Sequence, residues 1–80
     1  MRHHLLYHLL YTAILALSHV PQGGSFIVQD LVQPILWGCL SVPERLNLGA
    51  EFMDWAIKKG GNIVRPLGKT DKGQQIYEKL

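Results

Sequence analysis

An α+β fold, three helices closed by a C-terminal β-hairpin, follows from three features of this 80-residue chain. Ser41-Val42-Pro43-Glu44 opens a capped helix that runs to about Lys59. Asn62 to Leu67 and Gln74 to Leu80 read as two strands around a polar, glycine-flanked loop. Ahead of both lie a long apolar helix and a short strand-and-helix signal from Ser25 to Gln33. The order helix, strand, helix, helix, strand, strand is that of a small winged-helix-like domain, with the hairpin as its wing. Residues 1–80 are expected to form a single domain of this kind.

The first helix covers residues 3–20. At 100° per residue, Leu6, Leu9, Leu10, Ala13, Ala16, Leu17 and Val20 gather on one side, which is the predicted core face. His4, His8, Tyr11 and Leu15 form a second stripe on the other side, with Tyr7 alongside. That stripe carries no carboxylate, lysine or arginine, and aromatic residues in such a position suit an interface. His19, at the helix end, is placed to meet the last carbonyls and the helix dipole.

Pro21-Gln22-Gly23-Gly24 stops the helix and turns the chain. Ser25-Phe26-Ile27-Val28 has the composition of a short strand that needs a partner, and Phe26 to Val28 would pair as a third strand. Gln29 to Val32 begins a second helix that Pro34 breaks or kinks. In the third helix Ser41 and Glu44 have the spacing of a capping box, and Pro43 in the first turn costs no hydrogen bond. Its predicted core is Leu46, Leu48, Phe52, Met53, Trp55, Ala56 and Ile57. Gly49 in mid-helix costs about 1 kcal/mol against alanine, which implies that another element packs closely there. Lys58-Lys59 suit the negative end of the dipole, and Gly60-Gly61 end the helix.

The composition is 48% apolar and 18% charged, with a net charge of +2. So few charges on a small domain suggest that some apolar surface is covered by a partner or a second copy. From Ala56 onward the balance tilts, with six basic residues against Asp71 and Glu78. Cys39 is the only cysteine, so no intramolecular disulfide can form, and its neighbours Trp37 and Leu40 imply a buried thiol. The start, Met1-Arg2-His3-His4 and an apolar run to Leu17, imitates a signal peptide. Tyr7, His8, Tyr11 and Thr12 interrupt that run, and a membrane span needs about 18 or more apolar residues. A cytoplasmic protein without a membrane partner is therefore expected.

The chemistry of sites is sparse. His4 and His8 stand one turn apart and could share a metal ion, but two ligands do not make a site. Ser25, Ser41 and the four histidines have no triad context, and the paired glycines are a turn and a cap rather than a phosphate cradle. No catalytic residue, metal, cofactor or small-molecule substrate is expected, and the chain is read as non-enzymatic.

Winged helices that bind DNA present their third helix to the major groove. Here its outward arc is Glu44, Asn47, Glu51, Asp54 and Lys58, three acids against one base, which opposes phosphate. Glu51 and Asp54 are an ordinary solvated pair, and Arg45 projects to the apolar side, where it covers core or pairs with a carboxylate. The wing differs: Arg65 on its first strand and Lys69 and Lys72 at its tip could follow a phosphate backbone without sequence preference.

Phe26 with Asp30-Leu31, Trp37, Arg45, Leu48-Gly49 with Phe52, Gly68-Lys69-Thr70, Gln74-Gln75 and Tyr77-Glu78-Lys79 together form a pattern. It resembles a small bacterial and phage-borne winged-helix-like family known mainly as a domain of unknown function. The resemblance covers about two thirds of the chain, Phe26 to Leu80. It implies a compact winged-helix-like domain frequently carried by mobile elements, and no established activity. The family pattern often places a basic residue after the Leu-Gly pair. Ala50 stands there in this chain, a further point against DNA reading by the third helix.

Two functions follow as expectations. The first is an accessory or regulatory module acting through protein–protein interaction, self-associating as a dimer through His4, Tyr7, His8, Tyr11 and Leu15. The second is a nucleic-acid-binding regulator that contacts phosphates through Arg65, Lys69 and Lys72 and dimerises to strengthen weak contacts.

Overall fold

The computed structural model describes residues 3–80. Arg2, the charged start of the signal-peptide-like segment, lies outside the described residues. Helix α1 spans His3–Ala16, strand β1 Ser25–Phe26, helix α2 Pro34–Gly38, helix α3 Val42–Lys58, strand β2 Val64–Lys69 and strand β3 Gln75–Lys79. Three α-helices and a three-stranded antiparallel sheet give the small α+β domain, closed by a C-terminal hairpin, that the sequence predicts.

The strand order is β1-β3-β2, so β3 is central. Ser25 pairs with Glu78 and Phe26 with Tyr77 on one side of it, and Val64 with Lys79 on the other. The third strand is therefore real but stops at Phe26, because Val28 to Leu31 turns into a 3-10 helix. Asp30 starts that turn by accepting a 3.0 Å hydrogen bond from the Ile27 N–H. The Pro21–Gly24 turn is stitched to β3 as well: Gly23 N–H donates to the Lys79 carbonyl, and Lys79 N–H donates to that of Gly24. Gly23 adopts φ +83°, which glycine alone takes without strain.

The core joins Leu6, Leu9, Ala13 and Leu17 of the first helical segment to Leu48, Phe52 and Ala56 of α3, with Phe26, Val64 and Tyr77 from the sheet. Its aromatic centre is tight. Tyr77 stacks on Phe26 at 5.6 Å between ring centroids and meets Phe52 edge-on at 5.0 Å. Burial pushes the Tyr77 phenol from 10.0 up to about 12, and its hydroxyl reaches the Met53 sulfur at 3.8 Å. Of the predicted core face of the first helix, Leu10, Ala16 and Val20 are only half-buried. The α-helix itself ends at Ala16, and Leu17–His19 tighten into a 3-10 turn with His19 exposed.

Several expectations need correction. Pro34 starts α2 rather than breaking a helix, since its missing N–H falls among the groups that a first turn leaves unbonded anyway. Leu46 and Ile57 are 69% and 70% exposed, not core. The buried positions of α3 are Glu44, Leu48, Phe52 and Ala56, a single row at intervals of four. Leu46 and Ile57 belong to a second apolar row with Val42 and Met53, turned roughly 120° around the helix. No element packs on Gly49, where an added Cβ would meet nothing within 4 Å. Cys39 is exposed rather than buried: it caps the C-terminus of the short helix α2, which contributes no fully buried residue.

Candidate nucleic-acid interface

The capping box of α3 forms as predicted. Ser41 N–H donates to Glu44 Oε1 at 2.9 Å, and Glu44 N–H donates to Ser41 Oγ at 3.3 Å. One consequence is electrostatic: Glu44 is buried in its cap and is not part of an outward acidic arc. On the exposed flank of α3, Asp54 pairs with Lys58 at 3.0 Å, and Glu51 is solvated.

Beside that flank the second apolar row of α3 opens onto a groove of about 840 Å³. Its α3 wall is made by Val42, Arg45, Leu46, Gly49 and Met53, and Trp37 of α2 lines it as well. The hairpin lines it through Lys69, Lys72, Gly73, Gln74 and Gln75, and the segment after β1 through Ile27, Val28 and Gln29. Three cations and no carboxylate line this space. A concave site lined by one sign of charge concentrates ligands of the other.

The hairpin is held in that position by its own polar residues. Thr70 N–H donates to the Gln74 carbonyl at 2.8 Å, Gly73 N–H to that of Thr70 at 2.9 Å, and Gln74 N–H to Thr70 Oγ1 at 3.1 Å. Gly73 takes φ +84° to close the turn. The register of β2 against β3 slips between Pro66 and Lys69, and the Gln75 amide fills the irregularity by donating to the Leu67 carbonyl at 2.6 Å. Gln74 Nε2 then ties the turn to Gln29 Oε1 at 3.2 Å. Lys69 is thereby the last residue of β2, opposite Gln75, rather than part of the loop.

The sequence-predicted cations separate. Lys69 and Lys72 both line the groove, and neither side chain makes an ion pair among the described residues. Arg65 lies outside it, and its guanidinium is engaged by the Glu78 carboxylate across the strand pair. The sequence places Arg45 on the apolar side, covering core or pairing with a carboxylate, and no such pair forms among the described residues. Arg45 does cover Trp37, but it also lines the groove. Sequence reasoning missed this wall because it assigned both apolar rows of α3 to one core. The readable signal was their width: seven apolar positions spread beyond what one face of a helix can bury.

His4, Tyr7, His8, Tyr11 and Leu15 are all exposed along one side of α1, and none lines the groove. Tyr7 and Tyr11 are 63% exposed and Leu15 55%. Among the described residues no helix is long and apolar enough to cross a membrane.

Comparison with known proteins gives two findings. A family model described as "Domain of unknown function (DUF1413)" matches residues 11–79. A solved structure described as "SCCmec type IV LP1413 - nucleic acids binding protein" superposes with a TM-score of 0.65 at 19% identity, covering 94% of this chain and 92% of the other. At that identity the likeness is one of fold. A comparison with curated proteins found no match.

Proposed function

The chain belongs to the DUF1413 family of domains of unknown function, and from that premise we propose that it binds nucleic acid. Lys69 and Lys72, on the hairpin wall of the groove, contact the phosphate backbone. The observation that carries this reading is the groove itself, which gathers three cations and no carboxylate between α3 and the hairpin. Of the three acids on α3, Glu44 is buried in its cap, Asp54 pairs with Lys58, Glu51 is solvated, and none of them lines the groove. A described nucleic-acid-binding protein with the same fold adds support. The apolar α3 wall offers few hydrogen-bonding groups to base edges, so binding is electrostatic and tolerant of sequence. The protein acts as a non-enzymatic accessory module in the cytoplasm, of the sort that mobile elements carry.

Fluorescence anisotropy with labelled oligonucleotides, at low and near-physiological salt, tests this. Binding should fall steeply with salt and be lost in Lys69→Glu/Lys72→Glu, whereas Arg65→Glu should weaken it less. No binding by the wild type at low salt would overturn the proposal.

A second reading has its own observation. The exposed, carboxylate-free stripe of Tyr7, Tyr11 and Leu15, flanked by His4 and His8, suits self-association through α1. A dimer would place two basic grooves on one ligand and strengthen weak contacts.

A further inference from the structure

We infer that Arg45, braced on Trp37, is a further phosphate-contacting residue of this groove, on the wall formed by α3. The inference rests on the nucleic-acid reading above and adds a contact that the hairpin does not supply. The Arg45 guanidinium lies 5.2 Å from the centroid of the Trp37 ring, and its Nη2 donates to the Trp37 carbonyl at 3.1 Å. Stack and hydrogen bond together fix the plane of the fork before any ligand arrives, which reduces the ordering cost of binding.

Arg45 is half-buried, its Nε is buried without a hydrogen-bond partner, and no carboxylate pairs with it among the described residues. Withdrawing a guanidinium from water without an anion is unfavourable. The anion it lacks would arrive with the ligand, since Lys69 and Lys72 line the same space without a counter-charge. A guanidinium has five donors, and the Trp37 carbonyl occupies one. The phosphodiester is the chemistry that matches a planar fork on one wall and two ammonium groups on the other.

Arg45 could instead serve only to cover Trp37, and the salt dependence of binding separates the two roles. Arg45→Gln should weaken oligonucleotide binding and lower the slope of log K against log salt by about 0.9 on duplex, the value for one phosphate contact. Arg45→Lys, which keeps the charge, should restore the slope. A structural role would lower affinity with the slope unchanged. If Arg45→Gln keeps the wild-type slope while Lys69→Glu/Lys72→Glu loses binding, the nucleic-acid reading stands and this inference falls. A wild type that fails to bind overturns both. A measurement on the unmodified protein guards against misfolded variants: the buried Arg45 Nε–H is followed by 15N NMR during titration. It should shift with the Lys69 and Lys72 amides, and a stationary Arg45 signal would overturn the inference.

Discussion

Gly60 lies directly under the Trp55 indole, so close that a Cβ added to it would stand 2.7 Å from ring carbons Cη2 and Cζ3. The same glycine donates its N–H to the Trp55 carbonyl at 2.9 Å, closing α3. Trp55 in turn leans on Phe52 at 5.5 Å between centroids, so the helix end is fastened to the aromatic centre.

Gly60→Ala should therefore destabilise the domain by about 1–3 kcal/mol, the usual range for overpacking. Trp55→Ala should cost about 2–3 kcal/mol, below a full core truncation because the indole is half-buried. In the double variant the two costs should fall well short of their sum, since removing the ring removes the clash. Urea melts of the four proteins give the coupling directly. Additive losses would mean that Gly60 matters for something other than Trp55.

Tyr77 makes stability sensitive to alkali. Its folded pKa is about 12 against 10.0, so the folded state holds the phenolic proton more tightly than the unfolded chain. The resulting stabilisation is complete below pH 10 and is lost as pH rises through 12, by roughly 2–3 kcal/mol. Tyr77→Phe should remove most of that slope while leaving neutral-pH stability nearly unchanged, because the lost contact is a weak one to sulfur. Denaturant midpoints between pH 9 and 11.5 provide the measurement, and parallel slopes for the two proteins would contradict the assignment.

Gly49 offers an opposite test. Its site is open to the groove, so Gly49→Ala should stabilise α3 by about 0.5–1 kcal/mol through helix propensity alone. Gly49→Glu should still fold, yet lose oligonucleotide binding by placing a carboxylate among the three cations. A thermal melt and the anisotropy assay separate the two effects.

The α1 stripe predicts an oligomer. Tyr11→Glu with Leu15→Glu should yield a folded monomer where the wild type dimerises, as followed by sedimentation equilibrium. A wild type already monomeric at high concentration would rule out the self-interface.

The sequence by itself determined the two long helices and the hairpin of this protein, because local chemistry specifies them. Ser41 and Glu44 cap α3, glycines bracket the hairpin turn, and the inner row of α1 is apolar where it must be buried. It also determined that Phe26 would seek a sheet partner and that Lys69 and Lys72 would share the hairpin's outer end. Only the tertiary structure decided which of the two apolar rows of α3 enters the core. Periodicity reports that a row is apolar, whereas burial depends on what packs against it, and here Val42, Leu46 and Met53 face the hairpin across a groove. The same limit hid Arg45. Its neighbours in sequence suggest a residue covering core, but its position over Trp37 and in one groove with Lys72 arises from the packing of α2, α3 and the hairpin together.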